Sequence, residues 1–222
     1  MTFSPNLHIL PAPQRALWAE LGETPHNFTL YGGTALALRL GHRASADFDF
    51  FSNASFDPDD LARSIPYLRD AERVQLGPNT LTCRVERGGP VLVSFFGGLG
   101  LGQVAAPGQA GDTSLHVASL LDLAGTKAAV VQKRAEAKDY IDIDAVLQYG
   151  VDLSTVLAAG AVVYGRKFNP LITLKALSFF DDVPTLPHDL RARLARAVEA
   201  VDVTQLPVLT PYAKRPENGI RP

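Results

Sequence analysis

A change of texture near residue 110 constrains this chain more than any other feature. Before it, short apolar segments are punctuated by Gly and Pro, which predicts strands at Phe28–Tyr31, Asp47–Phe51, Arg73–Leu76, Thr80–Glu86 and Val91–Phe96. Turns at Gly77-Pro78-Asn79 and Gly88-Gly89-Pro90 join the last three into an antiparallel meander. Helices are expected at Gln14–Leu21, carrying Trp18 onto the core, at Thr34–Leu40 with Gly41 as its stop, and after Asp57-Pro58. From Ser114 the apolar residues recur at three and four spacing. Helices are then expected at Leu115–Gln132, Lys138–Tyr149, Leu153–Tyr164, Pro170–Phe180 and Pro187–Val201. The expected class is α/β (α+β): a mixed sheet with flanking helices over 1–110, a C-terminal helical bundle over 111–206, and a proline-rich tail over 207–222.

Composition narrows the function. With 222 residues, 46% of them hydrophobic and 20% charged, the chain suits a folded core and not a disordered one. No apolar run approaches the roughly 18–20 residues of a membrane span. The start, Met1-Thr2-Phe3-Ser4-Pro5, has no basic and apolar leader. The single cysteine, Cys83, reads as a core residue on a strand and fits a reducing compartment. A cytoplasmic protein is expected, with no membrane partner. The net charge of −2 argues against coating nucleic acid by charge alone. The first lysine is Lys127, so any lysine used in chemistry comes from the second half. The Gly97–Gly102 stretch lacks a following Gly-Lys-Ser/Thr and is not a P-loop.

The informative stretch is Tyr31-Gly32-Gly33-Thr34, followed by Arg43-Ala44-Ser45-Ala46-Asp47-Phe48-Asp49. A strand ending in two glycines before a helix lets backbone N–H groups approach an anion at the positive end of the helix, and Thr34 adds a hydroxyl. Asp47 and Asp49, two apart on a strand, share one face, and two like charges held together call for a cation. Oxygen-only ligands suit Mg²⁺ (or Mn²⁺), which also binds phosphates. On its own a Gly-Gly pair is usually a turn and an Asp-x-Asp a solvated strand face. In this order they point to phosphoryl or nucleotidyl transfer. A glycosyltransferase also uses Asp-x-Asp, without the glycine helix start upstream. Arg43 is placed to reach a phosphate and Ser45 to hold the loop. His42 reads as a surface residue.

Gly-Gly-Thr-Ala-Leu followed by Arg-x-Ser-x-Asp-x-Asp resembles the AbiEii-like nucleotidyltransferase toxins, within the superfamily of DNA polymerase β-like fold. A second motif of that family, Lys…Arg…Lys-Asp-x-x-Asp, reads here as Lys127, Arg134, Lys138, Asp139 and Asp142. The resemblance spans roughly residues 28–180. It implies a nucleotidyltransferase-type sheet with an NTP as substrate. Asp47 and Asp49 would hold the metal, with Gly32, Gly33 and Thr34 on the phosphates and Lys127 on the triphosphate. Arg134 and Lys138 would orient nucleotide or carboxylates, and Asp139 would serve as a helix cap or hydrogen-bond anchor. It also implies a tRNA 3′ end or a protein as acceptor, and an antitoxin as partner. On a continuous helix Lys127, Arg134 and Lys138 share a face, and Asp142 stands at ion-pair spacing from Lys138. A solvated, salt-bridged face gives the same pattern.

Many members of the superfamily carry a third carboxylate on a later strand. The counterpart here, Val91–Phe96, offers only Ser94. Three outcomes stay open: one-metal or substrate-assisted transfer, rescue by Glu86 or a helical acid, or nucleotide binding without turnover. Phe179-Phe180 reads as helical core, and Asp181-Asp182 as a helix end or loop not favoured as a second metal site.

Overall fold

The structure, a computed structural model, describes residues 2–111 and 113–213. The chain divides into two compact units. One takes Met1–Gly100 and Pro107–Ala118, the other Leu101–Ala106 and Ser119–Pro222. Of the tail expected over 207–222, residues 214–222 lie outside the described residues.

The first unit is built on one mixed sheet. Its strands are β1 (Thr2–Phe3), β2 (Thr29–Tyr31), β3 (Phe48–Phe51), β4 (Glu72–Gly77), β5 (Thr80–Glu86), β6 (Pro90–Phe96), β7 (Gly108–Ala110) and β8 (His116–Val117). Their spatial order is β1-β7-β8-β2-β3-β6-β5-β4. β4, β5 and β6 form the antiparallel meander that the turns imply. β3 lies antiparallel to β2 and parallel to β6. Side chains alternate across a pleated strand. One face carries Leu30, Phe48, Phe50, Leu81, Cys83, Val85, Val91, Val93 and Phe95, all buried. Helices α1 (Ala12–Trp18), α2 (Gly32–Leu40) and α3 (Pro58–Ser64) contact strands of this sheet. α2 ends at Gly41, whose φ of +67° suits glycine. α3 starts where Asp57 accepts a hydrogen bond from the Asp60 N–H, with Pro58 in the first turn.

The second unit is helical: α4 (Leu120–Val130), α5 (Ala137–Gln148), α6 (Leu153–Tyr164), α7 (Pro170–Ser178) and α8 (His188–Glu199). Ser119 caps α4, accepting from the Asp122 N–H at 3.1 Å and donating to its carboxylate at 2.6 Å. The same buried carboxylate accepts from the Val104 N–H at 2.6 Å and so anchors the 101–106 segment. Arg193 on α8 grips Asp144 on α5 with two bonds of 2.8 and 2.7 Å. Gly125 allows α4 and α6 to touch: a Cβ there would lie 2.7 Å from Ala159 C and 2.8 Å from Gly160 N. Gly125→Val is therefore expected to cost about 1–3 kcal/mol and to lower the thermal midpoint. An unchanged midpoint would contradict this close crossing.

Several boundaries differ from the sequence expectation, each for a local reason. The helix expected from Leu115 starts at Leu120. His116–Val117 is instead strand β8, because the Leu30 carbonyl takes the Ala118 N–H at 3.0 Å and Leu30 pairs with Val117. The helix expected to run on to Gln132 ends at Val130, and the next begins at Ala137. Lys127 and Lys138 therefore belong to different helices and share no helix face. The Gln14–Leu21 segment is a short α-helix followed by a 3₁₀ turn over Ala19–Glu23, with Trp18 buried. α7 stops at Ser178, so Phe179 is half-exposed and not helical core. Among the described residues no single helix is long and apolar enough to cross a membrane.

Candidate active site

β2 passes directly into α2 at Gly32, two residues earlier than the helix predicted from Thr34. Gly32 has φ +75°, a conformation that disfavours any side chain. No side chain bonds from the N-cap position, Tyr31, to the first turn of α2. The first turn of a helix presents N–H groups and partial positive charge, a place for an anion.

Asp49 pairs with Tyr31 across the β2–β3 ladder, and this register carries its carboxylate over the start of α2. A Cβ on Gly32 would lie 2.5 Å from Asp49 Oδ2. The Arg43 guanidinium lies just as close over Gly33, with Ser45 Oγ 3.5 Å from a Cβ there. Carboxylate, guanidinium and helix start thus converge on two adjacent glycines. Asp47 precedes β3 and is exposed, while Asp49 is half-exposed. The Thr34 hydroxyl lies 2.8 Å from Ser45 Oγ and donates to the Asp47 carbonyl. It is buried and holds the Arg43–Asp47 loop, so what Thr34 can offer an anion is its backbone N–H, not the hydroxyl expected from the sequence.

These glycines separate two roles. Gly32→Ala is expected to cost about 1–3 kcal/mol, since it strains the backbone and drives Asp49 away. Gly33→Ala meets only the flexible tip of Arg43 and gains helix propensity, so it is expected to shift stability by no more than about 1 kcal/mol. Urea unfolding of both variants checks this, and equal losses would contradict the geometry.

Ser94 pairs with Asp49 on the adjacent parallel strand, the place where a third carboxylate would stand. It accepts a hydrogen bond from Thr82 at 3.1 Å on the next strand. Glu86 does not join them. It pairs with Pro90, four residues along the ladder from the Thr82–Ser94 pair, a displacement of about 13 Å along the strand. Among the described residues no group of three or more His, Cys, Asp or Glu converges to hold a metal ion, and that includes Asp181 and Asp182. Asp47 and Asp49 offer oxygen ligands only, and two carboxylates are an incomplete donor set. That fits Mg²⁺, which keeps waters and takes further ligands from substrate phosphates. Cys83 lies within the buried face, and desolvation pushes its thiol pKa up, against a nucleophilic role.

The second motif gathers in the helical unit. Lys127 Nζ lies 2.8 Å from Asp139 Oδ1 and 2.6 Å from Asp142 Oδ2. Its side chain is 7% exposed and both carboxylates are fully buried. Arg134 Nε donates to Asp139 Oδ2 at 2.9 Å. Asp139 is thus a hydrogen-bond anchor and not the cap of α5, whose N-cap is Glu136. Asp142 pairs with Lys127 and not, as the spacing suggests, with Lys138. Lys138 pairs with Glu136 at 2.9 Å, and Arg134 reaches the same carboxylate at 3.2 Å. A phosphate role for Lys127 requires it to exchange one of its two carboxylate contacts. Sequence reasoning overlooked Glu136 because its role depends on the turn between α4 and α5. Asp122, which opens the second motif as Asp122-Leu123-Ala124-Gly125-Thr126-Lys127, has a capping role that the motif does not reveal, although Ser119-x-x-Asp122 has capping-box spacing.

Residues 15–207 match the family described as nucleotidyl transferase AbiEii toxin of a type IV toxin–antitoxin system. An uncharacterized protein of Aquifex aeolicus (strain VF5), aq_aa25, is 30% identical over 160 residues, which cover 71% of this chain and 75% of that protein. Among solved structures the fold is similar to MenT4, a nucleotidyltransferase toxin from Mycobacterium tuberculosis H37Rv. The TM-score is 0.55 at 17% identity, over 87% of each chain.

Proposed function

Because the chain belongs to the AbiEii nucleotidyl transferase toxin family, we propose that it transfers a nucleoside monophosphate from an NTP to an acceptor hydroxyl. The observation that carries this reading is the placement of the Asp49 carboxylate over Gly32, beside Arg43 over Gly33. In this reading the N–H groups of Gly32, Gly33 and Thr34 bind the phosphates and Arg43 adds a guanidinium to them. Asp47 and Asp49 hold Mg²⁺, or Mn²⁺. The cation, when bound, neutralises phosphate charge and polarises the transferring group. The acceptor hydroxyl gives its proton to solvent as its oxygen attacks the α-phosphorus, the bond from that phosphorus to the bridging oxygen breaks, and pyrophosphate leaves. Ser45 and Thr34 keep the loop that carries Arg43 and Asp47 in place. The cluster of Lys127, Asp139, Asp142 and Arg134 fixes the α4–α5 turn, with Lys138 on its exposed side. The acceptor is a tRNA 3′ end or a protein, the setting is the cytoplasm where NTPs are abundant, and an antitoxin is the expected genetic partner.

Incubation with α-labelled NTPs, Mg²⁺, total tRNA and cell protein tests this. Transfer of label by the wild type, and not by Asp47→Ala, supports it. No label in any fraction with any of the four nucleotides contradicts it for those acceptors. A second reading, nucleotide binding without turnover, is favoured by Ser94 at the position facing Asp49. It predicts calorimetric Mg²⁺–NTP binding with no labelled product.

A further inference from the structure

The sheet carries two aromatic clusters, one on each face. On the buried face Phe28, Phe50 and Phe95 pack with centroids 5.1–5.2 Å apart. On the other face Tyr31 stacks on Phe51 at 4.8 Å with 13° between planes, and Phe51 meets Phe96 edge-on at 5.7 Å and 87°. This second row shares its face with Asp49 and Ser94. Asp49 and Phe51 are two apart on β3, Ser94 and Phe96 two apart on β6, and the register pairs Asp49 with Ser94 and Phe51 with Phe96. Phe50 and Phe95 are 0% exposed, whereas Phe51 and Phe96, each the next residue along, keep contact with solvent. Core packing accounts for the first pair and leaves the second unexplained.

Direction matters as well. β2 runs antiparallel to β3, with Tyr31 opposite Asp49 and Thr29 opposite Phe51. Gly32 and Gly33 therefore lie off one side of Asp49, and Phe51 and Phe96 lie about 7 Å along the strand to the other side. A triphosphate held at the start of α2 with its α-phosphate at Asp49 sends its sugar and base toward the two rings.

We infer that Phe51 and Phe96 form the platform that receives the nucleobase of the donor nucleotide, which stacks on the Phe96 ring and meets Phe51, held by Tyr31 and turned 87° from Phe96, at its edge. This rests on the nucleotidyl-transfer reading above. Every base offers a π face, so such a platform separates nucleotides from bare polyphosphate and tolerates all four bases.

Calorimetry on the full chain distinguishes the two claims, using Mg²⁺–tripolyphosphate and each Mg²⁺–NTP as probes. For the wild type, NTPs are expected to bind roughly tenfold more tightly than tripolyphosphate, the contribution of one stacked base. Phe51→Leu and Phe96→Leu are expected to lose most of that preference and to keep tripolyphosphate affinity. Phe96→Tyr, which retains the ring, keeps the preference. If tripolyphosphate binds and NTPs gain nothing over it, or if the gain survives both leucine substitutions, the platform is overturned and the transfer reading stands. A leucine variant that loses tripolyphosphate as well has acted through the fold, which also overturns the platform. If neither probe binds the wild type, the transfer reading fails and the inference fails with it.

Discussion

Asp49→Asn will lose label transfer by at least about a hundredfold while the protein stays folded. Asparagine keeps the shape of the side chain and removes its charge. The carboxylate sits over Gly32 at the positive end of α2, and the charge removed from that helix terminus accounts for about 0.3–1 kcal/mol of stability. The two measurements therefore diverge: transfer collapses and the urea midpoint barely moves. Asp47→Asn should follow the same pattern with an even smaller stability effect, because Asp47 is exposed. Full transfer by Asp49→Asn would remove Asp49 from the chemistry.

The second large effect is on stability. Lys127→Met leaves Asp139 and Asp142 buried without the ammonium that lies 2.8 and 2.6 Å from them. Breaking a buried pair by removing one partner costs about 3–5 kcal/mol, a large share of the roughly 5–15 kcal/mol that holds a typical protein folded. Arg134 still reaches Asp139, so the second carboxylate, Asp142, is the one to neutralise alongside Lys127. Adding Asp142→Leu to Lys127→Met is expected to recover part of the loss, a coupling that a double-mutant cycle reads directly. Urea unfolding of the three variants checks this. A wild-type midpoint for Lys127→Met would contradict a cluster built around its ammonium.

The two motifs were legible to different depths, and the difference is physical. The glycine helix start could be read from the sequence because a strand, two glycines and a helix are local events. The start of α3 was legible for the same reason, since Asp57 caps it within three residues. Ser94 facing Asp49 was also readable, because period-two alternation on two neighbouring strands fixes which residues share a face. The failures are non-local. β8 is a strand only because β2 needs a partner on that side, and nothing in His116-Val117 announces it. Glu86 lies on the strand beside Ser94, and only the ladder register shows it four residues out of line. Helical arithmetic placed Lys127, Arg134 and Lys138 on one face by assuming an unbroken helix. The break after Val130 lets Asp139 and Asp142 of the next helix fold back onto Lys127 instead. Likewise the Thr34 hydroxyl was read as free for a ligand, and the loop thirteen residues on takes it.

The most direct test of the proposed site is a crystal structure of the full chain with Mg²⁺ and an NTP analogue that cannot be cleaved between the α- and β-phosphates. The account predicts a cation bound by the carboxylates of Asp47 and Asp49, with the phosphates against the N–H groups of Gly32, Gly33 and Thr34. A triphosphate bound elsewhere, or a cation that touches neither aspartate, would contradict it.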